Sequence, residues 1–179
     1  MGITVNGRSR KQLGQSIVEL AIATPVLLFL ILGAFDTSVM ISDKVIAGAA
    51  CRQGARLAAE IGGWRTNPLL TTAQVDDDIV KNVLAVATAM NYSTLKFVYI
   101  YQPTQPDGDY HAGDPVDVFD ASGNNISTGF PLTSREQIPP NETAIGVRLE
   151  WQYNPPTGLA AFSVALSEHA VFRAAPVLT

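Results

Sequence analysis

Two histidines and one cysteine are all the ring bases and thiols in this chain of 179 residues. Neither His111 nor His169 stands with a serine or cysteine in a pattern that pairs a nucleophile with its base. No glycine-rich phosphate cradle occurs either, so the reading is no enzyme and no cofactor. Cys51, being alone, excludes an internal disulfide framework. Carboxylates cluster twice. Asp107, Asp109, Asp114, Asp117 and Asp120 surround His111 in a stretch that loosely resembles a calcium loop. That template wants glycine at its sixth position and glutamate at its twelfth, where counting from Asp107 gives Ala112 and Val118. A solvated, turn-rich loop without metal is expected instead. Asp76, Asp77 and Asp78 are consecutive and point in different directions around a helix, so they are read as complementing a helix N-terminus rather than holding a cation. The carboxylate that resists an ordinary surface reading is Glu19, placed inside the run IVELAIATPVLLFLILGAF at residues 17–35.

That run has nineteen residues and one charge, and as a helix it is about 28 Å long, enough to cross a bilayer. Arg8, Arg10 and Lys11 precede it. The lysine and arginine bias therefore places the N-terminus in the cytoplasm and the bulk of the chain outside, as a single-pass protein anchored through residues 17–35. A cleavable secretory signal fits poorly, because Gly33, Ala34, Phe35 and Asp36 do not make a small-residue cleavage site. The net charge is −4 and three basic residues cluster at the start, which leaves the rest of the chain more acidic than the total and argues against nucleic acid as a partner. Pro25 removes a backbone donor and crowds the carbonyl of Ala21, so a kink or local melting is expected over residues 21–25, tolerable in lipid if Thr24 or a neighbouring helix satisfies the freed group.

Helical spacing continues beyond the run. Ala47, Cys51, Ala55 and Ala59 recur every four residues, and Ala50, Gly54, Ala58 and Gly62 form the adjacent row. Two rows of small side chains make a flat stripe for close helix packing. Arg52 and Arg56 share another face, read as solvated rather than as an anion site. Gly62 and Gly63, before Trp64, are expected to end a stem that occupies residues 15–62.

The string GQSIVEL, beginning at Gly14, resembles the processing site of type IV pilin-like precursors. Together with the apolar run and VIAGAACRQGARLAAEIGG it resembles the TadE family, the pseudopilins of tight adherence (Flp-type) pilus systems. The ending SEHAVFRAAP resembles that family's closing segment, while Leu20 stands where the family often has an aromatic residue. The resemblance implies a cytoplasmic basic leader at residues 1–14, cleavage between Gly14 and Gln15 by a prepilin peptidase, and a role for Glu19 in register and assembly. It also implies other pilin or pseudopilin subunits and an inner-membrane assembly platform as partners, and a place in a cell-surface pilus used for attachment. Physical reasoning adds that cleavage would create an amine on Gln15, four positions before Glu19 and on the same helix face. The alternative is an uncleaved single-pass protein with an extracytoplasmic binding domain.

Residues 63–179 read as an extracytoplasmic α+β head. Thr71 and Gln74 have capping-box spacing, and Val75, Ile79, Val83, Val86 and Met90 mark one face of a second helix. Strands are expected over 95–101, 116–119 and 144–153. In the last, Ile145, Val147, Leu149, Trp151 and Tyr153 share one face. A final strand is expected over 163–173, with Glu168 and Arg173 outward. Asn91, Asn125 and Asn141 each begin a glycosylation sequon. Two helices on a small antiparallel sheet give a pilin-like α+β fold.

Overall fold

A computed structural model describes residues 8–63, 69–138, 141–158 and 163–176; Trp64 lies outside them. Helix α1 runs Arg8–Ile61, roughly 80 Å at helical rise. It begins inside the segment read as a leader and passes through Gly14. It is also continuous through Pro25, so the melting expected over residues 21–25 does not occur. The Thr24 hydroxyl donates to the carbonyl of Leu20 at 2.7 Å, one residue before the carbonyl that Pro25 leaves without its amide donor.

The second helix, α2, spans Thr72–Ala87. Its start is fixed as the spacing predicts: Thr71 accepts from the amide of Gln74, and the Gln74 side chain takes the amide of Thr71 at 2.9 Å. Five strands follow: β1 Ser93–Tyr101, β2 Val116–Asp120, β3 Asn125–Ser127, β4 Ala144–Tyr153 and β5 Val164–Arg173. They form one antiparallel sheet in the order β3-β2-β1-β4-β5.

Both helices cover one face of this sheet, and the core lies between. Val75, Ile79 and Val83 of α2 meet Ile100 of β1 and Val147, Leu149 and Trp151 of β4, all essentially inaccessible. The alternation read in β4 is the one observed. In β1 a bulge between Leu95 and Phe97 resets the alternation. Leu95 therefore packs on the core before the bulge and Val98 and Ile100 after it, while Lys96 and Phe97 both stay out.

α1 ends where the spacing suggests, though for a different reason. Neither Gly62 nor Gly63 takes a positive φ. A Cβ on Gly63 would lie 2.0 Å from Cδ of Gln137, so close approach, not a left-handed turn, calls for glycine there. Backbone bonds from Gly62 to Ala58 and from Ala175 to Ala59 complete this end.

Candidate functional site on the stem

The two halves of α1 differ in their surroundings. From Gln15 to Leu30 every residue is exposed, and the large apolar side chains of residues 17–35 are mostly more than half accessible. Among the described residues the first buried one is Asp43. Thereafter Ala47, Ala50, Cys51, Gly54, Ala55 and Ala58 are buried against α2 and the sheet. At Gly54 an added Cβ would come within 2.3 Å of Cγ2 of Val83 and 3.4 Å of Val147, so this glycine sets how closely α1 approaches α2. Half of α1 is thus part of the head's core, while residues 15–31 of the other half are exposed throughout.

On the free half, Gln15 Nε2 donates to Glu19 Oε1 at 3.0 Å, which places both side chains on one face, one turn apart. Thr24 and Thr37 turn their hydroxyls back onto carbonyls four residues earlier, so they present no free donor to an apolar surrounding. Gly14 lies on the same helix, immediately before Gln15.

Where the apolar run stops, the head begins. Asp36 accepts the Tyr153 hydroxyl on its backbone carbonyl at 2.7 Å, and its carboxylate accepts the amide and hydroxyl of Thr157. Two turns on, the buried carboxylate of Asp43 accepts the hydroxyl of Ser93 at 2.6 Å. These contacts join the ends of β1 and β4 to the stem without a linker. Sequence reading missed them: Asp36 is visible as the first charge after the run, but its partners lie about 120 residues away.

The other candidates resolve differently. Burial pushes the Cys51 thiol up to about 12, and its Sγ donates to the carbonyl of Glu168 at 3.2 Å, which leaves it unreactive. Arg52 and Arg56 lie on the exposed face beside a hollow bordered by Asn82 and Phe172, with Arg56 paired to Glu60 at 3.0 Å. Glu168, expected outward, is half-buried on the helix side, 3.8 Å from Lys44.

Asp76 corrects the reading of its triplet. No acidic residue lies in the first turn of α2. Asp77 pairs with Lys81, while Asp76 is buried and takes both terminal nitrogens of Arg135, at 2.6 and 3.0 Å. Arg135, itself inaccessible, also reaches Asp117 at 3.0 Å and the Phe130 carbonyl at 2.7 Å. Burial is the main force that pushes Asp76 up to about 7; Arg135 pulls it down and Asp117 pushes it further up.

The aspartate-rich stretch is turn-rich, as expected, and part of it is exposed, but it is also packed. It folds over the outer face of the sheet, where Tyr110 stacks on Tyr99 with centroids 5.3 Å apart and the Tyr101 hydroxyl donates to the carbonyl of Gly108 at 2.6 Å. Asp109 binds Arg148 at 2.7 Å, and Arg148 also binds Glu150 at 2.9 Å. Burial works upward on Asp109, but the Tyr110 amide and Arg148 outweigh it and hold the carboxyl below its ordinary range. Asp114 accepts from Thr104 and the amide of His111, Asp117 from the amides of Gly129 and Phe130, and Asp120 closes its own turn with Ser122 and Asn124.

No curated protein and no solved structure matches the chain. The family model described as TadE-like protein matches residues 14–56, which take in Gly14, Gln15, Glu19, the exposed apolar helix, the Asp36 junction and the first turns of the buried stripe; over this segment the chain is similar to that family.

Proposed function

We propose that the chain is a pseudopilin or minor pilin of a tight adherence pilus, cut after Gly14 by a prepilin peptidase and assembled through the free half of α1. The observation that carries this reading is an exposed apolar helix, fused without a linker to a folded head and bearing one charge, Glu19, one turn from the proposed new N-terminus. Residues 15–35 form the segment shared with neighbouring stems and with the bilayer before assembly. The head extends outward and residues 1–14 remain cytoplasmic, as the three cationic side chains favour. Other pilin subunits and an assembly platform are its partners, and no catalytic group is assigned.

Intact mass of the protein isolated from membranes that contain the peptidase tests the reading. Loss of Met1 to Gly14 is expected, and Gly14→Val should keep the full-length mass while still inserting, because the apolar run is unchanged. A wild-type chain that stays full length in those membranes would instead support an uncleaved single-pass protein.

A further inference from the structure

The geometry points to a second membrane contact: the edge of the head formed by residues 91–94 and 153–157 rests in the headgroup layer of the bilayer while the stem spans it. This inference rests on the spanning reading of α1. The apolar run of nineteen residues is about 28 Å long and the hydrocarbon layer is about 30 Å thick, so Phe35 lies at its border. Asp36, the next residue, is bonded to Tyr153 and Thr157, and Asp43, about 10 Å higher along the helix, is bonded to Ser93. Each polar headgroup layer is roughly 5–7 Å deep. With no linker between stem and head, Thr157, bonded at Asp36, cannot stand clear of it; Ser93 at Asp43 stands just above it, and Tyr92 and Asn91 lead from Ser93 back down toward it beside Asn154.

The chemistry of the edge suits that layer. Residues 91–94 read Asn-Tyr-Ser-Thr and residues 153–157 read Tyr-Asn-Pro-Pro-Thr, without one Lys, Arg, Asp or Glu. The carboxylates nearest to it, on Asp36 and Asp43, are turned onto protein donors. Tyr92 is 44 % exposed although its backbone is pinned by the bond from the Asn154 amide to its carbonyl, and tyrosine favours the membrane–water interface. A surface with no charges meets headgroups through hydrogen bonds and aromatic contact, so the occupant is the bilayer interface as such and not an anionic lipid. The contact fixes the head against the membrane before assembly and must be released when the stem leaves the bilayer.

Nitroxide labels on single cysteines at Leu28, Asn91 and Gln105 of the full chain, reconstituted in phosphatidylcholine vesicles, test this. The buried Cys51 stays unlabelled. Gln105 is exposed at the opposite end of the sheet, and the Asn91 label leaves Tyr92 in place. Accessibility to a water-soluble nickel chelate should be several-fold lower for the Asn91 label than for the Gln105 label, though higher than for Leu28, and should not change when phosphatidylglycerol is added. An Asn91 label as accessible as Gln105, with the Leu28 label protected, overturns the inference and leaves the spanning reading intact. A Leu28 label open to the chelate overturns both. Protection of Asn91 only with phosphatidylglycerol overturns the charge-free contact.

Discussion

Glu19 is held by the neutral carboxamide of Gln15, a modest partner for a charge that lipid or a helix bundle would surround. Removal of residues 1–14 would put an ammonium on the same residue, one turn away and on the same face, turning a neutral hydrogen bond into a charge-assisted one. In a neighbour staggered along the axis the same amine can reach another chain's Glu19, and the charge then sets register. Glu19→Ala should therefore leave cleavage possible and the head folded, because Glu19 lies well before the first stem residue that contacts the head. Co-purification of the processed variant with pilus partners should fail. Glu19→Gln preserves size and removes the charge, so it should behave nearer to alanine than to wild type. Recovery of both variants in complexes at the wild-type level would confine the glutamate to peptidase recognition or to no role. The Gln15–Glu19 spacing could be read from the sequence because a single helical turn decides it. The Asp36 junction could not, since nothing local to Asp36 specifies Tyr153 or Thr157.

At the scale of elements, the stripe on α1 is where a small change has the largest mechanical effect. A leucine at Gly54 would drive its side chain into Val83, already 2.3 Å from the position of a Cβ and fully buried. Overpacking of this kind costs about 1–3 kcal/mol. Gly54→Ala would regain roughly 1 kcal/mol of helix propensity, which partly offsets its smaller overlap, so leucine is the decisive variant. Arg52→Ala, on the exposed face, should stay within about 0.5 kcal/mol. Thermal unfolding of both variants checks the contrast, and equal effects would mean that α1 and α2 separate there without cost. The elements with strong periodicity, α1, α2 and β4, were legible because one face of each is apolar for many turns or alternations. The bulge at Lys96 and the strand β3 were not: a bulge resets a period, and β3 has three exposed residues with no apolar face to betray it. Pro25 misled in the other direction, since a helix with intact turns on both sides absorbs one missing donor.

At the scale of the molecule, one buried cluster ties together parts that no local pattern connects. Arg135, from the segment that crosses from β3 to β4, binds Asp76 of α2 and Asp117 of β2, and Asp117 accepts the amides of Gly129 and Phe130. Sequence reading assigned Asp76 to a helix terminus, Asp117 to an aspartate-rich stretch that runs into a strand, and Arg135 to nothing at all, because a buried ion pair between distant segments has no signature in spacing. Two carboxylates face one guanidinium in a dry site, so a proton on Asp76 cancels the excess negative charge. Burial accordingly raises that carboxyl to about 7 in the folded chain from an ordinary value of 3.8. The sign follows from linkage: between about pH 4 and pH 7 the folded state holds a proton that the unfolded state has lost. The stabilisation from this group is complete below pH 4, declines as pH rises, and is gone above pH 7, with a limiting slope of about 1.4 kcal/mol per pH unit. Asp76→Asn cannot titrate, so the difference in stability between wild type and variant should move against the wild type from pH 5 to pH 7 and then level off. His111 and His169 also face aspartates, at 3.3 and 3.5 Å, but they are common to both proteins and cancel in the difference. Urea midpoints of the detergent-solubilised chain at pH 5, 6, 7 and 8 supply the measurement. A difference that is flat across that range, or that favours the wild type as pH rises, would mean that Asp76 stays ionised and that Arg135 alone offsets the cost of its burial.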